Sequence, residues 1–120
     1  MVKFYYDKEN DVILHSLNAK ECLQLVELVP NTTEAAVEKH IPMVTALENG
    51  TEIQVGSTLH PSLEEHYIEW IYVELKKGGL EIPFAWHEEP KVVIPFAKEE
   101  IVAVYSYCNL HGLWKLEDLS

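Results

Sequence analysis

From residue 43 onward the chain is a run of short apolar segments separated by turn residues, which leaves little room for helices. Strands are predicted at 44–47 and 52–55, joined by a turn that contains Asn49-Gly50, the strongest short hairpin signal. Further strands are predicted at 67–75, 80–84, 91–95, 101–105 and 113–116. Many short strands with almost no helix are typical of a β-sandwich, so we expect an all-β fold.

The segment 67–75 shows the clearest alternation of side chains between two faces of a strand. The alternation predicts one face made of Tyr67, Ile71, Val73 and Leu75, and a second face made of Ile68, Trp70 and Tyr72. A strand with large apolar residues on both faces is expected to lie in the interior of the fold.

Residues 1–30 predict a small β domain, and residues 31–120 the main domain. The N-terminal strands are predicted at 3–6, 12–14 and 23–29, and they carry too little apolar mass to fold without a neighbour. Pro30-Asn31-Thr32-Thr33 is interpreted as the connection between the domains. Asn31 and Glu34 resemble a helix N-cap pair, which predicts a helical turn at 35–37 with 38–40 in the following loop.

The formal net charge is −11, from 9 Lys and Arg against 20 Asp and Glu. Such a surface repels phosphate backbones, so a nucleic-acid partner is not expected. No apolar run approaches the roughly 20 residues of a membrane span, and the N-terminus lacks a signal-peptide core. We therefore expect a cytoplasmic protein without a membrane partner. In that setting Cys22 and Cys108 are expected to be free or metal-bound and not paired.

Four of the six histidines lie where predicted strands give way to loops: His40, His60, His66 and His111. Any one of them alone is more often an ordinary surface histidine. Cys108 lies three residues before His111, however, and the five side chains together predict a metal site. Five ligands fit tetrahedral zinc poorly, whereas imidazole and thiolate ligands also suit redox metals. Iron with one open coordination position is the favoured metal.

The other chemically active side chains lack this context. His15 lies in the weak N-terminal strand and His87 in a predicted solvated loop, so neither is expected to bind metal. Cys22 is interpreted as a small buried apolar residue.

Three sequence motifs occur in order along the chain. They are Glu38-Lys39-His40-Ile41-Pro42, then Gly56-Ser57-Thr58-Leu59-His60-Pro61 with His66-Tyr67-Ile68-Glu69-Trp70-Ile71, and finally Cys108-Asn109-Leu110-His111-Gly112-Leu113-Trp114. Together these motifs resemble the signatures of the superoxide reductases, a family that includes desulfoferrodoxins and neelaredoxins. The resemblance covers the chain from Pro30 to Trp114.

The resemblance implies an immunoglobulin-like β-sandwich that holds one mononuclear non-haem iron. It implies that His40, His60, His66 and His111 are the equatorial ligands and that Cys108 is the axial ligand. The implied reaction is the one-electron reduction of superoxide to hydrogen peroxide, with electrons from rubredoxin or a similar donor.

Two further side chains receive roles from the same resemblance. Lys39 would attract superoxide and help to protonate the bound peroxide. Glu38 would close the sixth position in the ferric state. Without the resemblance, both would be interpreted as solvated surface residues.

The N-terminal segment resembles the small desulforedoxin-like domain of the desulfoferrodoxins, which holds a second iron on four cysteines. Asp7, Asn10 and Glu21 stand where cysteines would be, and Cys22 remains. The resemblance therefore implies a domain that has lost its metal and is kept for packing and for a homodimer. Two alternatives stay open: a non-catalytic metal-binding β-sandwich module, and a dismutase that also oxidises superoxide.

Overall fold

The computed structural model describes residues 2–18, 20–22 and 24–119, and within them it confirms the predicted all-β fold. Its helical elements are α1 (Val37–His40) and a short 3₁₀ helix (Lys98–Glu100). Among the described residues, no helix is long and apolar enough to cross a membrane. The strands are β1 (Lys3–Asp7), β2 (Val12–Ser16), β3 (Val26–Leu28), β4 (Pro42–Leu47), β5 (Gly50–Val55), β6 (Ile68–Leu75), β7 (Gly79–Pro83), β8 (Lys91–Ile94), β9 (Ile101–Cys108) and β10 (Gly112–Leu116).

Two antiparallel sheets face each other and form a sandwich. One has the strand order β10-β9-β6-β7 and the other the order β4-β5-β8. Their facing sides supply one core in which β-branched and other aliphatic side chains from both sheets interdigitate. Ile53, Ile71, Val73 and Val104 have no exposed surface at all. Burial of this apolar surface is what holds the two sheets together.

The N-terminal strands form a third antiparallel sheet, of order β2-β1-β3. The predicted strand at 23–29 is shorter than expected, since β3 begins at Val26, and Leu23 lies outside the described residues. Phe4 of β1 packs against Tyr72 and Tyr105 on the outer face of the four-stranded sheet. The third sheet therefore leans on the sandwich, as its small apolar content required.

The alternation predicted for 67–75 is wrong at Ile68. A β-bulge lies between Ile68 and Trp70, because Ile68 pairs with Cys108 whereas Trp70 pairs with Tyr107. Because of the extra residue, Ile68 lies on the same face as Ile71, in the core between the sheets. Trp70 stays on the face predicted for it and packs against the N-terminal layer. The bulge lies at the end of β6 that carries the histidine loop.

The predicted hairpin between β4 and β5 is present, but its turn is shifted by one residue. Leu47 pairs with Gly50, so the two-residue loop is Glu48-Asn49 and Gly50 is the first residue of the strand. A Cβ atom at Gly50 would collide with the carbonyl oxygen of Ile94. The glycine therefore serves the close approach of β8 and not the conformation of the turn.

The predicted helix cap at Asn31 is also wrong. The N-cap of α1 is Ala36, which has no side-chain capping hydrogen bond, and the helix extends to His40. Residues 38–40 therefore lie in the helix and not in a following loop. Asn31 instead has a positive φ of 63° and binds β10, where its side chain accepts a hydrogen bond from N of Lys115 and donates one to its carbonyl oxygen.

Candidate metal centre

The four histidines and the cysteine that the motifs singled out meet at one end of the sandwich. His40 is the last residue of α1, and His60 and His66 lie in the connection between β5 and β6. Cys108 ends β9, and His111 lies in the turn to β10. Three separate parts of the chain thus deliver five side chains to one place, although the strands that carry them are far apart in sequence.

The four imidazole rings form a closed square. Neighbouring ring centroids are 4.8 Å apart for His40 and His60, 4.6 Å for His60 and His66, 5.0 Å for His66 and His111, and 4.8 Å for His111 and His40. The diagonal from His40 to His66 is 6.3 Å. Each neighbouring pair is close to perpendicular, with interplanar angles from 74° for His40 and His60 to 90° for His40 and His111.

The ligand atoms of His40, His66, Cys108 and His111 all lie within 4.8 Å of one another. His60 stands outside this group of four by that measure, although its ring completes the square. Nε2 of His40 lies 3.0 Å from Nδ1 of His111, and Sγ of Cys108 lies 3.9 Å from the same Nδ1 atom. Four imidazoles in a square beside one sulfur match a five-ligand centre better than tetrahedral zinc.

Two buried ring nitrogens have no hydrogen-bond partner among the described residues: Nε2 of His60 and Nε2 of His66. A buried polar atom without a partner is costly, so each such atom in a native protein needs an explanation. A metal ion at the centre of the square would bind both nitrogens. The residues present therefore fit a metal ion.

Backbone carbonyls fix which nitrogen faces the centre in two of the rings. The carbonyl oxygen of Ala36 lies 2.7 Å from Nδ1 of His40, and that of Pro61 lies 2.8 Å from Nδ1 of His60. A carbonyl can only accept, so Nδ1 carries the proton in both neutral rings and Nε2 keeps its lone pair. A hydrogen bond from the ring nitrogen that does not bind the metal is the usual way in which proteins orient a metal-binding histidine.

The electrostatics of the square keep the imidazoles in their ligand form. Burial lowers the pKa of His60 from 6.5 to about 4, and burial also lowers the pKa values of His40 and His66. Each of these rings is therefore neutral near pH 7, and a neutral imidazole is the form that binds a metal.

Cys108 has no exposed surface, and burial raises the pKa of its thiol. Hydrogen bonds from the backbone N–H groups of Leu110 and His111 act in the opposite direction, because they stabilise the thiolate. Gly112, the next residue, has a φ of +77°, which favours glycine, and a Cβ atom there would lie 3.2 Å from Oγ1 of Thr33.

Sequence reasoning did not identify the side chains that support the square. The hydroxyl of Ser106, which is fully buried, donates to the carbonyl oxygen of His40 at 2.7 Å. Trp114 stacks on His40 with a centroid distance of 4.9 Å, and its Nε1 donates to the carbonyl oxygen of His111. Both residues lie near or within the third motif, which was the only available signal for them.

Lys39 and Glu38 both lie on α1 directly before His40, and both side chains are exposed. Lys39 directly precedes His40, and its positive charge is one of the lesser causes that lower the pKa values of His40 and His66. The carbonyl oxygen of Glu38 accepts hydrogen bonds from N of Thr58 and from the hydroxyl of Ser57. The second motif thus holds the first one in place.

The remaining candidates lie away from the square. His15 packs on Phe4 and Tyr72 in the N-terminal layer, and His87 contacts Trp86. Cys22 is a free thiol, as expected, but it is half-buried and not fully buried.

Two of the three positions predicted to replace the cysteines of a second iron site, Asp7 and Asn10, lie in a hydrogen-bonded turn, whereas Glu21 lies outside it in the connection between β2 and β3. The carboxylate of Asp7 accepts hydrogen bonds from N of Glu9 and from both N and Nδ2 of Asn10. These bonds close the connection between β1 and β2 by an Asx-type turn.

Comparison with known proteins agrees with this geometry. Residues 32–117 match the desulfoferrodoxin family model. A desulfoferrodoxin of Clostridium acetobutylicum is 40% identical over 93 residues, which cover 78% of this chain and 73% of that protein.

Solved structures extend the similarity to the fold. The superoxide reductase of Treponema pallidum has a TM-score of 0.81 at 27% identity and covers 97% of this chain and 98% of that one. The superoxide reductase (neelaredoxin) of Ignicoccus hospitalis has a TM-score of 0.52 at 27% identity, covering 69% of this chain and 83% of that one. The Treponema match therefore includes the N-terminal sheet. On the family model, the sequence relatives and the structures together, this chain belongs to the desulfoferrodoxin family of superoxide reductases.

Proposed function

We propose that the protein is an iron-dependent superoxide reductase whose iron is held by His40, His60, His66, His111 and Cys108. The observation that carries the proposal is the square of four imidazoles beside a buried thiol, with two buried ring nitrogens that have no hydrogen-bond partner in the part of the chain that the structure describes. The relatives named as superoxide reductases support the same reaction. The alternative of a non-catalytic metal-binding module is not favoured, because it leaves that similarity unexplained.

Ferrous iron held by these five side chains would supply the single electron of the overall reaction, in which superoxide, one electron and two protons give hydrogen peroxide without formation of oxygen. The protein contributes a ligand set in which His40, His60 and Cys108 are buried and His66 and His111 half-buried, and the thiolate of Cys108 would donate electron density to the metal. Burial of Cys108 keeps competing water and oxidants away from the sulfur, and the N–H groups of Leu110 and His111 hold its negative charge.

Lys39 is the residue that we propose to attract the anionic substrate. Its charge lies beside His40 and His66 in a protein whose net charge is −11. An exposed ammonium group at that position concentrates anions locally and can deliver a proton to a reduced oxygen species. We propose that Glu38, its neighbour on α1, would supply a further carboxylate ligand to the iron when the iron is ferric.

The remaining proposals concern the surroundings of the site. Residues 1–30 are proposed to be a small domain without metal, since the side chains of Asp7 and Asn10 are bonded to each other and only Cys22 supplies a thiol. On the basis of the same family, we also propose that the protein forms a homodimer, receives electrons from a rubredoxin-like donor and is cytoplasmic. The free state of both cysteines agrees with a reducing compartment.

The test is metal analysis and optical spectroscopy of the oxidised protein produced with ample iron. We expect one iron per chain and a thiolate-to-iron charge-transfer band. The band should vanish in Cys108→Ser and persist in the matched control Cys22→Ser, which makes the same substitution outside the square. Zinc or no metal in the wild-type protein, or a band that survives in Cys108→Ser, would sink the proposal.

A further inference from the structure

Asn109 directly follows Cys108 in the third motif, and its side chain contacts the loop that carries His66. Its Oδ1 accepts a hydrogen bond from N of Tyr67 at 3.0 Å, and its Nδ2 donates to the carbonyl oxygen of Glu65 at 3.1 Å. Glu65 and Tyr67 are the two neighbours of His66. One side-chain amide thus binds the peptide units on both sides of a single histidine.

The backbone around His66 has few other constraints. His66 itself exchanges two backbone hydrogen bonds with Leu63, which lies in the same exposed loop. The N–H group of Asn109 also donates to the carbonyl oxygen of Tyr67 at 3.2 Å. Among the described residues, the hydrogen bonds that join residues 65–67 to the body of the protein are therefore made with Asn109, which follows directly after Cys108. The same stretch of chain is anchored farther from His66 by Ser62, whose hydroxyl donates to the carbonyl oxygen of Glu88, and by Ile68, which pairs with Cys108.

From these contacts we infer that Asn109 is a positioning residue, which sets His66 against Cys108 and His111 so that the square has the correct size before metal binds. It touches neither the metal nor the substrate. Asn109 hydrogen-bonds both peptide units that flank His66. Removal of a residue that orients a metal ligand commonly lowers metal affinity about 10- to 100-fold. The inference rests on the proposed function, because the metal is the iron proposed above.

The chain offers a matched control in Asn31. Its side chain makes the same pair of hydrogen bonds, with Oδ1 accepting from N of Lys115 and Nδ2 donating to the carbonyl oxygen of Lys115. Neither partner is a neighbour of a ligand. Asn109→Ala and Asn31→Ala therefore each remove one hydrogen bond to a backbone N–H and one to a backbone carbonyl, but only Asn109→Ala releases a ligand loop. Asn31→Ala carries an added strain, because Asn31 has a φ of 63° that alanine tolerates less well than asparagine, so its loss of stability without metal is expected to be the larger one.

The experiment measures the dissociation constant for Fe²⁺, without oxygen and by competition with a chelator, and the rise in melting temperature that saturating Fe²⁺ produces. Asn109→Ala should bind Fe²⁺ about tenfold more weakly than the wild type and show a smaller rise. Asn31→Ala should lose stability without metal but keep the wild-type affinity. Equal affinities of wild type and Asn109→Ala, or equal losses in both variants, would overturn the inference. A wild-type protein that does not bind Fe²⁺ would overturn the proposed function as well.

A second variant covers the case in which Asn109→Ala does not fold. Asn109→Asp keeps the acceptor for Tyr67 but places a carboxylate oxygen against the carbonyl oxygen of Glu65. The added negative charge by itself would slow the loss of a cation. We expect Fe²⁺ to dissociate faster from Asn109→Asp than from the wild type despite that charge, and an equal or slower rate contradicts the inference.

Discussion

At the scale of single residues, Lys39 offsets an electrostatic repulsion, because the protein as a whole and the proposed substrate, superoxide, are both negatively charged. The surface carries 20 acidic residues, and its field repels anions at long range. Lys39 is exposed and lies beside two of the proposed ligands. A single cation next to the site can therefore matter more than its share of the total charge.

Replacing Lys39 by alanine should slow the reaction with superoxide by on the order of tenfold and weaken its dependence on ionic strength. The measurement is the second-order rate after pulse radiolysis at several salt concentrations. Lys77→Ala is the matched control, because it makes the same change in net charge at an exposed turn beyond the opposite end of β6. A rate and salt response that are unchanged in Lys39→Ala would remove Lys39 from the mechanism.

At the scale of elements, α1 is only four residues long, and its position depends on the loop that follows β5. Gly56 in that loop has a φ of +86°, and its N–H donates to the carbonyl oxygen of Ile41 at 3.0 Å. A Cβ atom at this position would lie 2.8 Å from the carbonyl oxygen of Lys39 and 2.9 Å from that of Glu38. The glycine therefore lets the second motif pack directly against the first.

A Cβ atom at Gly56 would also collide with the carbonyl oxygen of Thr58. Gly56→Ala should therefore destabilise the protein by about 2–5 kcal/mol, the sum of left-handed strain and overpacking against Thr58 and α1. It should also weaken iron binding, because α1 carries His40. Gly78→Ala is the control: Gly78 has a similar φ of +87° but open space around its Cβ position, so only the strain of about 1–2 kcal/mol applies. Urea unfolding of both variants, with and without iron, makes the comparison. Equal losses of unfolding free energy in the two variants would show that the contact of the new methyl group with α1 does not destabilise the protein.

The same elements show what sequence could predict and where it failed. Alternation and turn residues located the strands because they report local geometry. They missed the bulge before Trp70 because a bulge depends on the partner strand β9. They misplaced the turn at Gly50 because a glycine is needed there for the close approach of β8 and not for the turn. The candidate ligands were proposed from three motifs. The support that Ser106 gives to His40 is a contact across 66 positions of sequence, and no local pattern reports such a contact.

At the scale of the whole molecule, the four-stranded sheet separates two environments. One face packs into the core between the sheets, and that core includes Cys108. The other face carries an aromatic layer in which Phe4 lies 5.3 Å from Trp70, 5.7 Å from Tyr72 and 4.9 Å from Tyr105, measured between ring centroids. The N-terminal sheet is thus attached to the back of the sheet whose front helps to build the metal centre.

This arrangement predicts that the N-terminal sheet can loosen without loss of the metal centre. Phe4 is 2% exposed, so Phe4→Ala should remove about 3–5 kcal/mol of packing from the aromatic layer. We expect faster amide hydrogen exchange in β1 and β2, with unchanged exchange in β6 and β9 and an unchanged charge-transfer band.

Ile53→Ala, a truncation in the core between the two sheets of the sandwich, is the comparison, because Ile53 is fully buried there. That variant should raise exchange throughout the sandwich and weaken iron binding, since the same core encloses Cys108. If Phe4→Ala instead raises exchange in all three sheets and weakens iron binding to the same degree, the N-terminal layer and the metal centre unfold as one cooperative unit. The N-terminal sheet would then act as part of the scaffold of the metal centre and not as a separate layer.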